Sequence, residues 1–528
     1  MTQTQNQEQQ EKIRMPRKSW MSSRLMQARK YEKQMENAVA GEERPSFHLG
    51  VQIGWMNDPN GFCYYNGYYH MFYQYYPYAA HWDPMHWGHA VSRDLLHWKY
   101  MPCAIAPDHR YDKDGCFSGS AILLPDGRHM LMYTGVDKEY VDENGDICDP
   151  SGEKGGVLKD IQTQNLAFGD GCDYIKYIDN PVLTCADLPA GADPAHFRDP
   201  KMVLYGDGTY RMYAVTYVRD VGGTVVQYIS RDGVHWSFKG ILDQNNFRIG
   251  LMWECPDFFE LDGKAVLMCS AQDMLPAGLE YHNGNGTFIM TGSYDDETGK
   301  FTEEGDHAVD YGIDFYAPQT ILTPDGRRVM IGWMQNWDTV NLRTFEPKWY
   351  GQMSIPRELS VKDGRIFQKP IREIETLRRG KISFRNVSLD SSERFLEGIR
   401  GRRADIEVTV RARKGEDIYR CFGIRFAQNE NLHSEAEYRP EEGTVKIDRK
   451  CSGSRRAVVH QRRCDAGTHG GDMKLRLILD RYSAEVFIND GEKVMSMTLI
   501  TPQTADAISF YAEGMAQFDV DFYTLDRI

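Results

Sequence analysis

The chain has 528 residues, 41% of them hydrophobic, which is enough to bury a large core and favours two or more domains. Its formal net charge of −14 argues against nucleic acids and anionic membranes as partners but is neutral about uncharged small molecules. The 11 cysteines form no CxxC pair, so a zinc or redox motif is unsupported, and their odd number indicates reduced thiols.

The first 44 residues are predicted to form a polar tail and one amphipathic helix. Residues 1–17 look disordered, and their Gln-rich start lacks the apolar segment of a signal peptide. Apolar residues then recur at nearly helical spacing over residues 18–40, and the polar residues 41–45 end the pattern. Because no run of about 18 apolar residues occurs, we expect no membrane span and a cytoplasmic location.

Residues 45–357 contain a repeat marked by five Asn-Gly or Asp-Gly turns. Each turn precedes a strand-like run, as expected for tight hairpins that need positive φ. The turns lie 60, 81, 55 and 63 residues apart, a spacing that suits four-stranded units. We therefore predict an all-β, five-bladed β-propeller, with a pair of β-sandwiches as the competing arrangement. The turns begin at Asn66, Asp126, Asp207, Asp262 and Asp325.

Three other segments are predicted from composition. The acidic, Gly-rich residues 136–159 indicate a surface loop inserted between the second and third turns. Residues 358–380 resemble a linker with a short helix. No tryptophan follows Trp349, and residues 381–528 return to short alternating strands, which predicts a C-terminal β-sandwich.

A carboxylate stands eight residues before three of the five turns: Asp58, Asp199 and Glu254. The other two units carry Ser118 and Ala317 at this position. The first strand of each propeller blade lines the central axis, so these side chains are expected to converge at one end of the channel. Like charges raise one another's pKa, so three clustered carboxylates favour a metal or a reaction over simple turn caps.

The local sequence divides the roles of the three carboxylates. A Ca²⁺ site is disfavoured because no DxDxDG-type loop surrounds them. A pair could instead supply the general acid and the nucleophile for cleavage of a glycosidic bond. Glu254 lies between Trp253 and Cys255, an apolar setting that suits a general acid. The amides next to Asp58 are expected to keep it ionised, and the charge of the adjacent Arg198 is expected to do the same for Asp199.

Seven segments resemble the motifs of glycoside hydrolase family 32, the invertases and fructan hydrolases. They occur in order over about residues 45–355: Trp55–Gly61, Phe72–Pro77, Trp87–Ala90, Phe117–Ser120, Phe197–Pro200, Trp253–Asp257 and Asp314–Gln319. The resemblance implies a five-bladed propeller, a second sandwich domain and a retaining mechanism. It also implies that Asp58 is the nucleophile, Glu254 the acid/base and Asp199 the stabiliser of the transition state.

The same resemblance implies further contacts to the sugar. The residues concerned are Trp55, Asn57, Gln74, Trp82, Phe117, Ser118 and Arg198. Tyr316 and Trp333 are additional pocket candidates. Some of these side chains have structural alternatives, since Asn57 and Gln74 could bind buried backbone and Trp82 could lie in the core. No metal or organic cofactor is expected, because two carboxyl groups suffice for this chemistry.

The predicted reaction is hydrolysis of terminal β-D-fructofuranosides, with sucrose or sucrose 6-phosphate as the small-molecule substrate. A phosphate would need a basic group, for which His81, His86 and Lys348 are candidates. Three alternatives stay open: an exo-acting hydrolase of short inulin or levan oligomers, a fructosyltransferase, and a non-catalytic carbohydrate-binding protein. No sequence feature decides the oligomeric state.

Overall fold

The computed structural model describes residues 21–142, 148, 156–340 and 347–528. Within these ranges the chain is nearly all β and forms five sheets of a propeller followed by the two sheets of a sandwich. The predicted five-bladed β-propeller with a C-terminal β-sandwich is confirmed, and the competing pair of sandwiches is wrong. The tail predicted over residues 1–17 lies outside the described residues.

From residue 21 onward one α-helix, α1 (Ser23–Met35), precedes the propeller, and it is shorter than the helix predicted over residues 18–40. Ser22 caps it, because its side-chain oxygen accepts a hydrogen bond from a backbone N–H of the first turn. Arg29 donates to the carbonyl oxygen of Cys103 at 2.9 Å, which fixes α1 to the first blade. No described helix has the length and apolarity needed to span a membrane.

The first three blades are antiparallel four-stranded sheets. Blade 1 contains β1 (Gly54–Tyr65), β2 (Tyr68–Tyr76), β3 (His86–Ser92) and β4 (Trp98–Ile105). Blade 2 contains β5 (Gly115–Leu123), β6 (His129–Val141), β7 (Val157–Gly169) and β8 (Tyr174–Lys176). Blade 3 contains β9 (Ala192–Leu204), β10 (Tyr210–Val218), β11 (Gly222–Ser230) and β12 (Ser237–Gln244).

The last two blades have the same construction. Blade 4 contains β13 (Met252–Leu261), β14 (Lys264–Met274), β15 (Gly284–Asp295) and β16 (Lys300–Ala308). Blade 5 contains β17 (Tyr316–Leu322), β18 (Arg328–Trp333), β20 (Arg357–Lys362) and β21 (Arg365–Pro370), and the short β19 (Trp349–Tyr350) lies between β18 and β20 in the chain. β19 pairs in parallel with β1, which joins the end of the propeller to its start.

The first strand of each blade lies at the centre of the propeller. β1, β5, β9, β13 and β17 contact one another in a ring, and β17 closes on β1. The five predicted Asn-Gly and Asp-Gly turns each lie between the first and second strands of a blade. The repeat in the sequence therefore corresponds to one blade.

Two predicted boundaries differ from the structure. Residues 357–370, expected to end the propeller and begin a linker, form β20 and β21 and complete blade 5. The loop expected over residues 136–159 is partly wrong, because β6 and β7 pair continuously from His129 with Gly169 to Val141 with Val157. The turn of this long hairpin lies outside the described residues, except for Asp142, Cys148 and Gly156.

The sandwich packs two six-stranded sheets around a shared apolar core. One sheet contains β22 (Arg378–Asp390), β24 (Ala404–Ala412), β29 (Met473–Asp480), β30 (Ser483–Ile488), β31 (Lys493–Thr498) and β33 (Met515–Leu525). The other contains β23 (Glu393–Arg394), β25 (Cys421–Gln428), β26 (Ser434–Arg439), β27 (Thr444–Asp448), β28 (Gln461–Asp465) and β32 (Ala507–Glu513).

A buried charged network joins the two domains. His48 lies before the propeller, and its two ring nitrogens are 2.9 Å from Asp480 Oδ2 and 3.0 Å from Glu485 Oε1 of the sandwich. Arg357 of blade 5 also binds Glu485, at 2.7 Å, and Asp310, at 2.9 Å. Charges taken out of water need such complete pairing, so the network fixes how the domains dock.

Candidate active site

Each innermost strand carries a β-bulge near the position of the predicted carboxylates. The pairing of β1 with β2 shifts between Met56 and Pro59, and equivalent shifts occur in the other four blades. A bulge leaves residues unpaired and turns their side chains out of the regular alternation. The bulges therefore aim side chains of five different strands at the mouth of the central channel.

The shared register is approximate for one of the three carboxylates. Asp199, Cys255 and Ala317 all have left-handed backbone conformations, with φ of 61°, 49° and 52°, and each directly precedes a proline. By this criterion Cys255 is the equivalent of Asp199, and Glu254 stands one residue earlier. Glu254 still reaches the same mouth, because its long side chain extends from the edge of the bulge.

Asp58 is held by donors from its own strand and from blade 2. Its Oδ2 accepts a hydrogen bond from Ser118 Oγ at 2.7 Å, and its Oδ1 accepts one from Asn57 Nδ2 at 3.0 Å. Trp55 Nε1 donates to Asn57 Oδ1 at 2.7 Å and so holds the amide in place. Burial and the charge of Glu254 raise the pKa of Asp58 to about 6.

Glu254 accepts hydrogen bonds on both oxygens. Oε1 lies 3.1 Å from Arg198 Nε and 3.0 Å from Arg198 Nη2. Oε2 accepts from Tyr316 Oη at 2.6 Å and from Gln272 Nε2 at 2.9 Å. The surroundings of Glu254 are therefore polar, and the prediction of an apolar setting is wrong. Its sequence neighbour Trp253 is buried, and the indole N–H donates to a backbone carbonyl instead of approaching Glu254.

Asp199 is buried and bound by backbone. Its Oδ2 accepts the N–H of Cys255 at 2.9 Å. Burial raises the pKa of Asp199 and the charge of Arg198 lowers it. The charges of Glu254 and Asp58 raise it again, so that the pKa reaches about 7. The expectation that Arg198 keeps Asp199 ionised is therefore wrong. Arg198 Nε lies 3.9 Å from Asp199 Oδ2 and lowers this pKa, but burial and the two other carboxylates outweigh it, and the shorter contacts of the guanidinium go to Glu254.

The Cys255 thiol lies between two of the carboxylates. Its Sγ is 3.7 Å from Asp58 Oδ2 and 3.6 Å from Asp199 Oδ2. Burial raises the pKa of this thiol well above its usual value, so the sulfur keeps its proton and can donate it to a hydrogen bond. The thiol thus places one weak donor between two negative groups.

The three carboxylates line a single cavity of about 550 Å³ at the mouth of the propeller. Six of the seven predicted sugar contacts line it as well: Asn57, Gln74, Trp82, Phe117, Ser118 and Arg198. Trp55 is the exception. Its ring is buried, lies 5.2 Å from that of Tyr350 and 6.0 Å from that of Trp333, and supports Asn57 from behind.

None of the three basic candidates for phosphate binding lines this cavity. His86 is buried, and burial lowers its pKa to about 4, so it is neutral at pH 7. Lys348 Nζ donates to the carbonyl oxygen of Ala38 at 2.7 Å. The ring of His81 packs 5.9 Å from that of Tyr76.

Several lining residues were not predicted from the sequence. Two of them lie at the start of the inner strand β9, and the others lie on outer strands and loops: Ala195 and His196, then Asp160, Gln162, Gln272, Asp273, Asn285 and Trp337. Gln272 and Asp273 lie near the end of β14, directly after an apolar run. If the strand predicted from this run had been extended by a few residues, it would have placed them beside Glu254. Asn285 and Trp337 carried no such signal, because only the packing of blades 4 and 5 brings them to the cavity.

A second cavity, of about 560 Å³, lies where blade 5 meets the sandwich. Several of its charged side chains are paired with one another, for example Arg385 with Asp521 at 2.7 Å and Lys474 with Asp490 at 2.9 Å. Volume alone does not separate the two cavities. Of these two cavities, as the described residues form them, the one at the propeller mouth brings together buried carboxylates with raised pKa values, which is typical of an active site.

A propeller whose axial cavity gathers buried carboxylates, amides and aromatic rings has the construction of an enzyme that cleaves carbohydrates. Two family models match the chain: the glycosyl hydrolases family 32 N-terminal domain over residues 48–370 and the glycosyl hydrolases family 32 C terminal over residues 373–524. The chain belongs to glycosyl hydrolase family 32, and it is a β-fructofuranosidase, as the sequence predicted.

Curated relatives from bacteria are similar over nearly their whole length. Raffinose invertase of Escherichia coli is 34% identical over 89% of this chain and 92% of the relative. Sucrose-6-phosphate hydrolase of Bacillus subtilis is 31% identical over 94% of this chain and 96% of the relative. These names agree with the β-fructofuranosidase class.

Solved structures show the same fold. A Bombyx mori β-fructofuranosidase mutant in complex with sucrose has a TM-score of 0.77 and 30% identity, and the match covers 95% of this chain and 98% of the other. Sucrose-6-phosphate hydrolase from Lactobacillus gasseri has a TM-score of 0.77 and 25% identity, and the match covers 98% and 99%.

Proposed function

We propose that the chain hydrolyses terminal β-D-fructofuranosides with retention of configuration, through a covalent fructosyl-enzyme intermediate. In the first step Asp58 attacks the anomeric carbon of the fructosyl unit while Glu254 gives its proton to the leaving oxygen. In the second step Glu254 takes a proton from water, whose oxygen displaces Asp58 from the same carbon. Both carboxyl groups return to their starting states, so no metal or cofactor is needed.

The contacts of Asp58 support its role as nucleophile. Ser118 and Asn57 each donate to one of its oxygens, which fixes the carboxylate in one orientation. A fixed nucleophile needs no reordering when the substrate binds. Burial and the charge of Glu254 disfavour ionisation of Asp58, so its negative charge is poorly stabilised until it forms a bond to carbon.

The position of Glu254 supports its role as the proton donor and acceptor. Tyr316 and Gln272 direct hydrogens at Oε2, and Arg198 directs two at Oε1. This set of donors holds the side chain at the cavity wall. We assign the stabilisation of the transition state to Asp199, because its buried charge faces the positive charge that develops on the fructosyl ring.

Sucrose is the substrate that the charges of the cavity favour. A sugar phosphate carries a charge of about −1.5 to −2 at pH 7. Among the described lining residues the basic groups are Arg198, which is bound to Glu254, and His196, whose pKa burial lowers to about 4. Asp160 and Asp273 add negative charge to the wall, which opposes a phosphate.

Sucrose 6-phosphate is the second candidate, because relatives from several bacteria are named sucrose-6-phosphate hydrolases. A direct comparison of kcat/KM on sucrose, sucrose 6-phosphate, raffinose and short inulin and levan oligomers separates these substrates. We expect sucrose to exceed its 6-phosphate, with the difference growing at low ionic strength. A higher value for the phosphate would reverse the preference, and release of no fructose from any of them would refute the function.

Fructosyl transfer and simple carbohydrate binding are the remaining alternatives. Accumulation of a trisaccharide at high sucrose concentration would favour transfer, since the same intermediate is then captured by a sugar. A binding protein would leave sucrose uncleaved. A cytoplasmic location stays a prediction, and uncharged sucrose or its phosphate would both be available there.

A further inference from the structure

The leaving sugar must lie over blade 4 if Glu254 protonates its oxygen. A general acid has to be within hydrogen-bond reach of the atom that it protonates. Glu254 is on β13, and the neighbouring lining residues Gln272, Asp273 and Asn285 come from β14 and β15 of the same blade. The wall above blade 4 is therefore where contacts to the leaving group can be made.

Asn285 is the lining residue of this wall that is most firmly held. Its backbone N–H and its side-chain amide donate to the two carboxylate oxygens of Asp338, at 2.8 and 3.0 Å. Its carbonyl oxygen accepts from Asn336 Nδ2 at 2.7 Å. With these groups engaged, Asn285 can offer a sugar hydroxyl its side-chain Oδ1 as an acceptor and the second hydrogen of Nδ2 as a donor.

The sandwich contacts the loop that leads into β15, at Asn283, two residues before Asn285. Arg462, on the edge strand β28, donates from Nη2 to the backbone oxygen of Asn283 at 3.1 Å, and its Nη1 lies 3.4 Å from Asn283 Oδ1. A loop that carries a contact residue is precise only when its backbone is restrained. Arg462 restrains it from the sandwich side, and Asp338 restrains it from blade 5.

We propose that Asn285 determines specificity for the leaving sugar and that Arg462, although it belongs to the sandwich, positions Asn285 for this contact. The proposal rests on the β-fructofuranosidase function and assigns the sandwich a part in substrate selection. Asn285 acts by direct contact with the sugar. Arg462 acts only through the loop, so it affects binding of the leaving group and leaves the three carboxylates in place.

The test compares two substrates that share the fructosyl unit and differ in the leaving group. The leaving group of sucrose is glucose, whereas that of β-D-fructofuranosyl fluoride is a single fluoride, which is too small to contact Asn285. For Arg462→Ala and Asn285→Ala we expect kcat/KM on sucrose to fall about 5- to 12-fold, the loss of one hydrogen bond. Most of the loss should be in KM, and kcat/KM on the fluoride should stay within about twofold, the scatter of a neutral substitution.

Two further variants make the test specific. Arg463→Ala removes a positive charge from the next position of β28, where the side chain pairs with Glu442 at 3.8 Å, and should leave both substrates unchanged. Arg462→Lys should recover part of the activity on sucrose. The double variant Arg462→Ala/Asn285→Ala should be no worse than Asn285→Ala alone, because the two residues act in series.

Three results would overturn the proposal. They are equal losses on sucrose and on the fluoride, an unchanged KM for sucrose in Arg462→Ala, or an equal effect of Arg463→Ala. Wild-type protein that cleaves neither substrate would instead refute the β-fructofuranosidase function, so the two failures can be told apart.

Discussion

At the scale of single residues, the active site places negative groups where they repel one another. Burial and Glu254 raise the pKa of Asp58 to about 6, and burial together with Glu254 and Asp58 raises that of Asp199 to about 7, despite Arg198. Because the groups interact, the observed values belong to the cluster. The attacking carboxylate must be ionised, so activity depends on this titration.

We expect kcat/KM to fall as the pH drops from about 7 to below about 6, because protonation of Asp199 removes the stabilising charge and protonation of Asp58 removes the nucleophile. The measurement is a pH profile of kcat/KM on sucrose between pH 4 and 8, with stability checked at each pH. Replacing Cys255 by Ser keeps a donor near both carboxylates and should shift this acidic limb by less than replacing it by Ala. An acidic limb at the pKa of an ordinary aspartate, about 4, would contradict the account.

Burial and the repulsion from Glu254 together predict that the nucleophile Asp58 destabilises the fold. A carboxyl whose folded pKa is raised binds its proton more tightly in the folded state, so stability falls as the pH rises from about 4, the unfolded value, to about 6. Asp58→Asn should remove activity and raise the unfolding free energy by about 1–2 kcal/mol at pH 8. Thermal melts at pH 8 and pH 4 check this, and an equal gain at both would contradict it.

At the scale of elements, helix α1 covers the outer part of blade 1. Arg24 donates to the carbonyl oxygen of Pro107 at 2.5 Å, and Arg29 binds the carbonyl oxygen of Cys103 and, at 2.6 Å, the carboxylate of Asp173. Glu32 accepts the N–H of Cys103 at 3.0 Å. These bonds occupy backbone groups near the edge strand β4, which would otherwise be open to pairing with other chains.

Truncating Leu25, the larger of the two buried side chains of α1, should therefore loosen blade 1 without changing the chemistry. We expect Leu25→Ala to lower the unfolding free energy by about 2–3 kcal/mol, since the side chain is 7% exposed. Met26→Ala is the matched control, because its neighbouring side chain is 56% exposed and should matter little. Urea unfolding measures both, and equal values for the two variants would show that α1 is not docked.

At the scale of the whole molecule, His48 connects the propeller to the sandwich. Burial lowers the pKa of His48, but hydrogen bonds to Asp480 and Glu485 and their charges outweigh burial and raise it to about 9. A raised histidine pKa gives stability that is fully present below the unfolded value of about 6.5 and is lost as the pH rises through about 9.

The docking of the domains should therefore weaken in alkali. We expect the melting temperature of the wild type to fall between pH 7 and pH 10, corresponding to a loss of at most about 3 kcal/mol. The His48→Gln variant should be less stable than the wild type at pH 7, and its melting temperature should fall less between pH 7 and pH 10. Differential scanning calorimetry measures both, and parallel pH dependence in the two proteins would show that His48 is not the responsible group.

The sequence was informative wherever a repeat or a motif recurred. The turns at the start of each second strand predicted the five blades, and the carboxylates Asp58, Asp199 and Glu254 were predicted to meet. Counting residues could not reveal the bulges, so the equivalence of Cys255 with Asp199 was missed. Asn285 and Arg462 were missed because contacts between separate blades and domains leave no local pattern.

The central claim is that Asp58 forms a covalent bond to the fructosyl unit. It is tested by treating Glu254→Ala with an activated aryl β-D-fructofuranoside, whose leaving group needs no proton, so that the intermediate accumulates for want of a base. Mass spectrometry of the digested protein should then find one fructosyl unit on the peptide that contains Asp58, and none in Asp58→Asn/Glu254→Ala. A fructosyl unit on Asp199, or turnover without any adduct and with inverted configuration, would contradict the mechanism.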